Sequence, residues 1–186
     1  KLQIALLKDK IASNSISKDV EEMKEMIDSY LAFTKGEGEE NITNENIFLL
    51  FKNIVANTNN PKKIKVSLKI SKNITFFVKN LAIKRAFNNI LSNAIFFAKK
   101  KIFISVKKLK NKGTLIKFED DGPGIPENKR DDVLKAFYRI DETRLSRSGN
   151  TGLGLTITKN IISNHGGSME LADSSLGGLE VKIYLP

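Results

Sequence analysis

The sequence predicts a two-layer α+β sandwich preceded by a helical hairpin. Apolar residues alternate singly in some stretches and recur every three or four residues in others. The two kinds of stretch are mixed, without the strict strand–helix alternation of a parallel α/β fold. Of 186 residues, 40% are hydrophobic and 28% charged, which suits a folded chain and is too apolar for a disordered one.

The elements follow in order. Lys1 to Ala12 reads as a helix that opens without a cap, and Ser13-Asn14-Ser15 turns the chain. Ser17 then caps a second helix with Asp19, Glu21 and Glu22 in its first turn, favourable beside the positive end of the dipole. Its stripe of Val20, Met23, Ile27, Tyr30 and Thr34, widened by Met26 and Phe33, is that of a helix packing on helices. Two such helices bury little surface alone, so a partner copy is expected. Gly36 to Glu40 is a polar hinge, which divides the chain into 1–36 and 41–186. Asn44 to Asn57 carries a helical apolar face. Strands are expected near Lys63–Ile70 and Ile74–Val78, then a long helix over Leu81–Lys99. Ile102, Ile104 and Val106 alternate, Asn111-Lys112-Gly113 turns, and Thr114 to Glu119 returns. A short helix near Pro126–Ala136, a polar stretch over Asp141–Asn150, a helix over Gly154–Ser163 and two strands complete the chain.

Composition excludes several classes of function. Without Cys there is no disulfide, thiolate metal site or cysteine nucleophile. Apolar runs such as Ile47–Phe51 are far too short to cross a bilayer. The net charge is +10, but only five of the basic residues are Arg, and neither Arg nor aromatics cluster as a nucleic-acid groove requires. No nucleic-acid partner is expected.

Four short patterns carry chemistry. Asn89 and Asn93 lie four apart in the long helix and so share a face. An Asn carbonyl is a neutral ligand suited to Mg²⁺, which takes its remaining ligands from water and phosphates. Asp120-Asp121-Gly122-Pro123-Gly124 ends an apolar strand, where a carboxylate can accept a bond from an exocyclic amine and glycines admit a flat ligand. Phe137-Tyr138-Arg139 follows, with Phe137 expected in the core and Arg139 able to clamp phosphate oxygens. Thr151-Gly152-Leu153-Gly154-Leu155 opens a helix, whose first N–H groups suit phosphate.

Together, in this order and spacing, the four patterns resemble the N, G1, F and G2 boxes of sensor histidine kinases, most closely the osmosensor type. Their catalytic domain has the Bergerat ATP-binding fold, shared with gyrase, Hsp90 chaperones and MutL. The resemblance runs from about Ile42 to Pro186. It implies ATP and Mg²⁺ as cofactors. Asn93 would bind the metal with Asn89 beside it. Asp120 would read the adenine amine, with Gly122 and Gly124 opening the pocket. Arg139 and a lysine after the N box, Lys99 or a neighbour, would approach the phosphates. Asp141–Asn150 would form a lid, and Thr151, Gly152, Leu153, Gly154 and Leu155 would lie along the phosphate chain. Asn150 departs from the pattern, since the G2 box commonly begins with Gly. The hydrolytic branch of this fold places a Glu four residues before the metal Asn. Here that place is Asn89, whose amide cannot act as a general base, so transfer is expected over hydrolysis.

The resemblance also assigns the N-terminal helices to a dimerisation hairpin whose phosphate-accepting His would fall just before Lys1. The sole histidine, His165, stands in a structural turn of the family, so the fragment is expected not to phosphorylate itself. The implied partners are a response-regulator receiver domain and a second copy through the hairpin. A membrane anchor is expected upstream, with this portion cytoplasmic in a sensor of the inner membrane. A nucleotide-sensing module without turnover and a serine/threonine kinase of the same fold are the alternatives.

Overall fold

The computed structural model describes residues 40–110, 113–140 and 152–186, with 16, 17, 20, 23 and 24 besides. The expected hairpin, apart from those five residues, the hinge before Glu40, the 141–150 lid and Thr151 lie outside the described residues.

The first described strand, β1 (Ile42–Asn46), pairs antiparallel with β3 (Thr75–Lys79) as a separate two-stranded sheet. The sequence reading began a helix at Asn44 instead. Asn46 explains the difference, because its side chain accepts the Leu49 N–H at 3.0 Å and so caps the helix that starts after it. Of the residues in β1 only Ile42 is apolar, and it is exposed, so no alternation marks the strand. Helix α1 (Ile47–Asn57) buries Ile47, Leu50, Phe51 and Ile54, the steps of one helical face.

The second sheet has the order β2-β4-β5-β7-β6. Its strands are β2 (Lys65–Lys69), β4 (Lys101–Lys108), β5 (Thr114–Asp120), β6 (Ser168–Asp173) and β7 (Leu179–Leu185). Only the β2–β4 pair is parallel, as its long crossover through β3 and helix α2 (Asn80–Phe97) requires. Helix α3 (Gly154–Asn164) lies beside α2 and is tied to it by Thr158, whose hydroxyl donates toward the Gly154 and Ala86 carbonyls. Helices cover one face of the sheet. Phe51 of α1, Phe87 of α2 and Phe118 of β5 meet there with ring centroids 4.9 to 5.8 Å apart.

The helix expected over Pro126–Ala136 is replaced by two 3₁₀ turns, Glu127–Lys129 and Asp132–Leu134. This segment buries only Val133, too little apolar surface to hold a helix against the core. Arg130 is committed elsewhere, with Nε donating to the Ile125 carbonyl and its guanidinium bound to Asp173.

Candidate functional site

A cavity of about 370 Å³ opens between α2, the first turn of α3 and the ends of β5 and β7. The alternation of β5 explains why Asp120 faces into it. Ile116, Phe118 and Asp120 share the inward face, and Phe118 and Asp120 both line the cavity. Asp120 is 5% exposed. Its Oδ1 accepts the N–H of Gly122 at 2.8 Å and that of Leu179 at 3.2 Å. Burial pushes the carboxyl above its ordinary value, and the neighbouring Asp121 adds to this, while the two N–H bonds work against it. Both of those bonds fall on Oδ1, which leaves Oδ2 to accept from an amine donor in the cavity.

Glycines make the geometry around Asp120 feasible. A Cβ on Gly122 would lie 2.8 Å from both Asp120 Oδ1 and the Phe97 carbonyl oxygen. Gly178, which sequence reasoning missed, is tighter still, with a Cβ falling 2.2 Å from Asp120 Oδ1. Gly124 lines the cavity, and Gly122 underlies Asp120 without lining it. Gly177 and Gly178 stand between β6 and β7, and the antiparallel pairing of β5 with β7 brings Gly178 beneath Asp120.

At the other end, Asn93, Arg139, Gly152, Gly154 and Leu155 line the same cavity. Asn89 stands behind this wall and donates its amide to the Gly154 carbonyl at 3.3 Å. Leu153 is buried and turned away from the cavity. No side chain caps the N-terminus of α3, so its first-turn N–H groups remain available to an anion. Arg139 Nη2 is buried without a hydrogen-bond partner among the described residues. A guanidinium left in that state is matched by an anionic ligand at this end.

Two expectations change. Phe137 is not in the core but 57% exposed, with a left-handed backbone (φ 65°). Its N–H donates to the Gly152 carbonyl at 3.1 Å, and Gly152 is itself left-handed (φ 70°), so this tight backbone crossing turns the ring outward. Lys99 is exposed and does not line the cavity. Its backbone N–H donates to Asp121, as do those of Lys100 and Lys101, at 2.9 to 3.2 Å. Burial works to raise the Asp121 carboxyl, but these N–H groups outweigh it and hold the group below the ordinary carboxylate range. The apolar walls, including Ile90, Phe97, Tyr138, Ile140 and Val181, were not foreseen. They come from helix α2, the loop around Tyr138 and strand β7, and Phe97, Ile140 and Val181 lie outside the short motifs.

His165 caps the end of α3, away from the cavity. Nε2 accepts the Lys79 N–H at 3.0 Å, so the proton belongs on Nδ1, which lies 2.7 Å from the Ile161 carbonyl oxygen. Among the described residues no cluster of acidic or His side chains could alone hold a metal, and no helix is long and apolar enough to cross a membrane.

Comparison with known proteins agrees with this geometry. Residues 78–186 match the family described as histidine kinase-, DNA gyrase B-, and HSP90-like ATPase. Over 105 residues the chain is 41% identical to the sensor histidine kinase CpxA of Escherichia coli K12, which covers 56% of this chain and 23% of that protein. Over 114 residues it is 38% identical to the signal transduction histidine-protein kinase ArlS of Staphylococcus aureus USA300, covering 61% and 25%. The chain thus spans about a quarter of the length of the curated relatives it matches. Among solved structures the fold is similar to the mycobacterial sensor histidine kinase MprB (TM-score 0.68, 20% identity, 78% of this chain and 97% of that one). It is also similar to the Acinetobacter baumannii histidine kinase AdeS (TM-score 0.72, 19% identity, 97% and 86%). At those identities the structures speak for the fold alone. The family match runs over more than half of the chain, and the chain belongs to the histidine kinase-, DNA gyrase B- and HSP90-like ATPase family.

Proposed function

We propose that this chain binds ATP in the cavity and, within its parent protein, transfers the γ-phosphate to a histidine upstream of Lys1. The observation that carries the reading is that Asp120 and Arg139 line one cavity, the first a carboxyl raised by burial and the second a guanidinium whose Nη2 is buried without a partner among the described residues. A nucleotide has an amine at one end and anionic oxygens at the other, and so answers both.

In this reading Asp120 accepts a hydrogen bond from the exocyclic amine, and the apolar walls hold the flat base. Arg139 and the free N–H groups of α3 draw the phosphates and stabilise charge as it spreads over the transferred group. The imidazole nitrogen bonds to the γ-phosphorus as the bond to the bridging oxygen breaks and ADP departs. Asn89, bonded to Gly154, offers no base to activate water, which favours transfer over hydrolysis. Asn93 fits a divalent ion by its neutral oxygen and its place on the cavity wall; bound Mg²⁺ would neutralise phosphate charge there.

The same reading treats 1–36 as the remainder of a dimerisation hairpin and 41–186 as the catalytic domain, with Asp141–Asn150 as lid. The acceptor histidine would pass its phosphoryl group to an aspartate of a response-regulator receiver domain. The parent would be a dimeric sensor anchored in the inner membrane, with this portion in the cytoplasm. One protein of similar fold, full-length ShkA, has been solved in complex with AMPPNP.

Calorimetric titration of ADP and a non-hydrolysable ATP analogue, with and without Mg²⁺, tests the site. Binding strengthened by Mg²⁺ for the triphosphate and lost in Asp120→Ala is expected; no binding by the folded parent chain overturns the reading. Phosphate transfer to a chain extended upstream through its histidine then separates a kinase from a module that only senses nucleotide.

A further inference from the structure

Charge is segregated along this chain. From Ile47 to Phe118 there are seventeen Lys or Arg and not one Asp or Glu. Two strands of that stretch, β2 and β4, are neighbours at one side of the five-stranded sheet. Their inward residues, such as Ile102, Ile104 and Val106, meet the helices. Their outward residues include Lys65 and Lys69 on β2 and Lys101 and Lys107 on β4, all exposed. Lys65 stands directly opposite Lys101 in the register, a like-charge pair that costs stability.

The other half of the same face is balanced within itself. Lys117 pairs with Glu180 at 2.7 Å, and Lys182 pairs with Glu170 at 3.2 Å and Glu180 at 3.5 Å. None of these four outward lysines forms an ion pair among the described residues. Lysines on an edge strand discourage strand addition, which accounts for β2. It does not account for Lys101, where β4 is paired on both sides, and Lys107 continues the same row beyond the last β2 partner.

We propose that the β2–β4 half of the open sheet face docks on an anionic lipid bilayer surface. The residue types select this partner. Protein interfaces are built on Tyr, Trp and Arg anchors and are poor in Lys. Single-stranded nucleic acid asks for exposed aromatics, and the one aromatic here, Phe103, is only half-exposed between strands. Compact, flexible ammonium groups spread over an open face match a layer of anionic headgroups, which requires no fixed geometry. None of these lysines lines the nucleotide cavity, so the surface is independent of that site.

The test is sedimentation of the chain with vesicles of phosphatidylcholine alone and of phosphatidylcholine with about one-third phosphatidylglycerol, at low salt and at about 0.5 M salt. The bound fraction is expected to rise about tenfold with the anionic lipid and to collapse in high salt. The triple variant Lys65→Gln/Lys101→Gln/Lys107→Gln should fall to the level seen with neutral vesicles. The charge-matched triple variant Lys129→Gln/Lys135→Gln/Lys159→Gln should retain most binding. Circular dichroism and ADP titration, both unchanged, establish that the variants are folded. Equal loss in the two triple variants overturns the proposal, since net charge alone would then be at work. So does equal binding to neutral vesicles, no binding to either kind, or tight binding of duplex DNA by a chain that ignores vesicles.

Discussion

Gly178 stands so close to Asp120 that a methyl group on its Cα would lie 2.2 Å from the carboxylate Oδ1 and 2.6 Å from the Asp120 carbonyl oxygen. The obstacle is strand backbone on one side and the ligand-reading group on the other, so neither can give way cheaply. Gly178→Ala should weaken ADP binding by at least about tenfold, which corresponds to about 1.4 kcal/mol. A surface control such as Gly177→Ala has open space around it, though its left-handed backbone adds some strain. Isothermal titration of both variants checks the contrast.

Asp120 is held in the fold at a cost. Its pKa is raised, so its contribution to stability is present at low pH and is lost as pH rises through the folded-state pKa. Asp120→Asn keeps an acceptor for the Gly122 and Leu179 N–H groups without the buried charge. We expect this variant to melt at or above the temperature of the parent at pH 7, with the advantage shrinking toward pH 4. Nucleotide binding should fall at least about tenfold nonetheless. Melting curves across that pH range, beside titrations at pH 7, test both halves.

Asp121 behaves in the opposite sense. Its pKa is lowered, so its stabilisation holds above the ordinary aspartate range and is lost as pH falls below about 4. Asp121→Ala leaves three successive N–H groups, those of Lys99, Lys100 and Lys101, to water. A loss of about 1–2 kcal/mol in urea unfolding is expected at pH 7, fading in acid.

Arg139 should discriminate by phosphate. Arg139→Gln is expected to lower affinity for the triphosphate analogue about tenfold or more and to leave adenosine binding nearly unchanged. Equal losses for both ligands would remove Arg139 from the phosphate end.

His165 links the end of α3 to the start of α2 by accepting the Lys79 N–H. His165→Ala should cost about 1–2 kcal/mol of stability with nucleotide affinity intact. The nitrogen shifts of the ring should report the Nδ1–H tautomer.

How much of this was legible in the sequence follows from what each signal encodes. The strands of the large sheet and helices α1 to α3 announce themselves because each buries one face, and the period of burial is written in Ile102, Ile104 and Val106 or Ala86, Ile90 and Leu91. β1 was hidden because it carries almost no apolar residue, and its strand state comes from pairing with β3. Motif spacing gave Asp120, Asn93, Arg139 and Gly154, which the fold gathers round one cavity. It misplaced Lys99, because the capture of its backbone by Asp121 depends on where β5 ends relative to α2. It misread Phe137, because the outward turn of that ring follows from a backbone crossing with Gly152. Gly178 went unrecognised because proximity across strands leaves no local trace.

The trio of Phe51, Phe87 and Phe118 has a consequence for how such a site can diverge. Phe118 is at once a wall of the cavity and a member of the stack that joins helix α1 to the sheet. Any substitution there that reshapes the ligand space also opens a void between the layers. Descendants of this sequence that acquire a different ligand preference should therefore carry their changes at the rim, among Tyr138, Ile140 and Leu155, and inherit the floor unaltered.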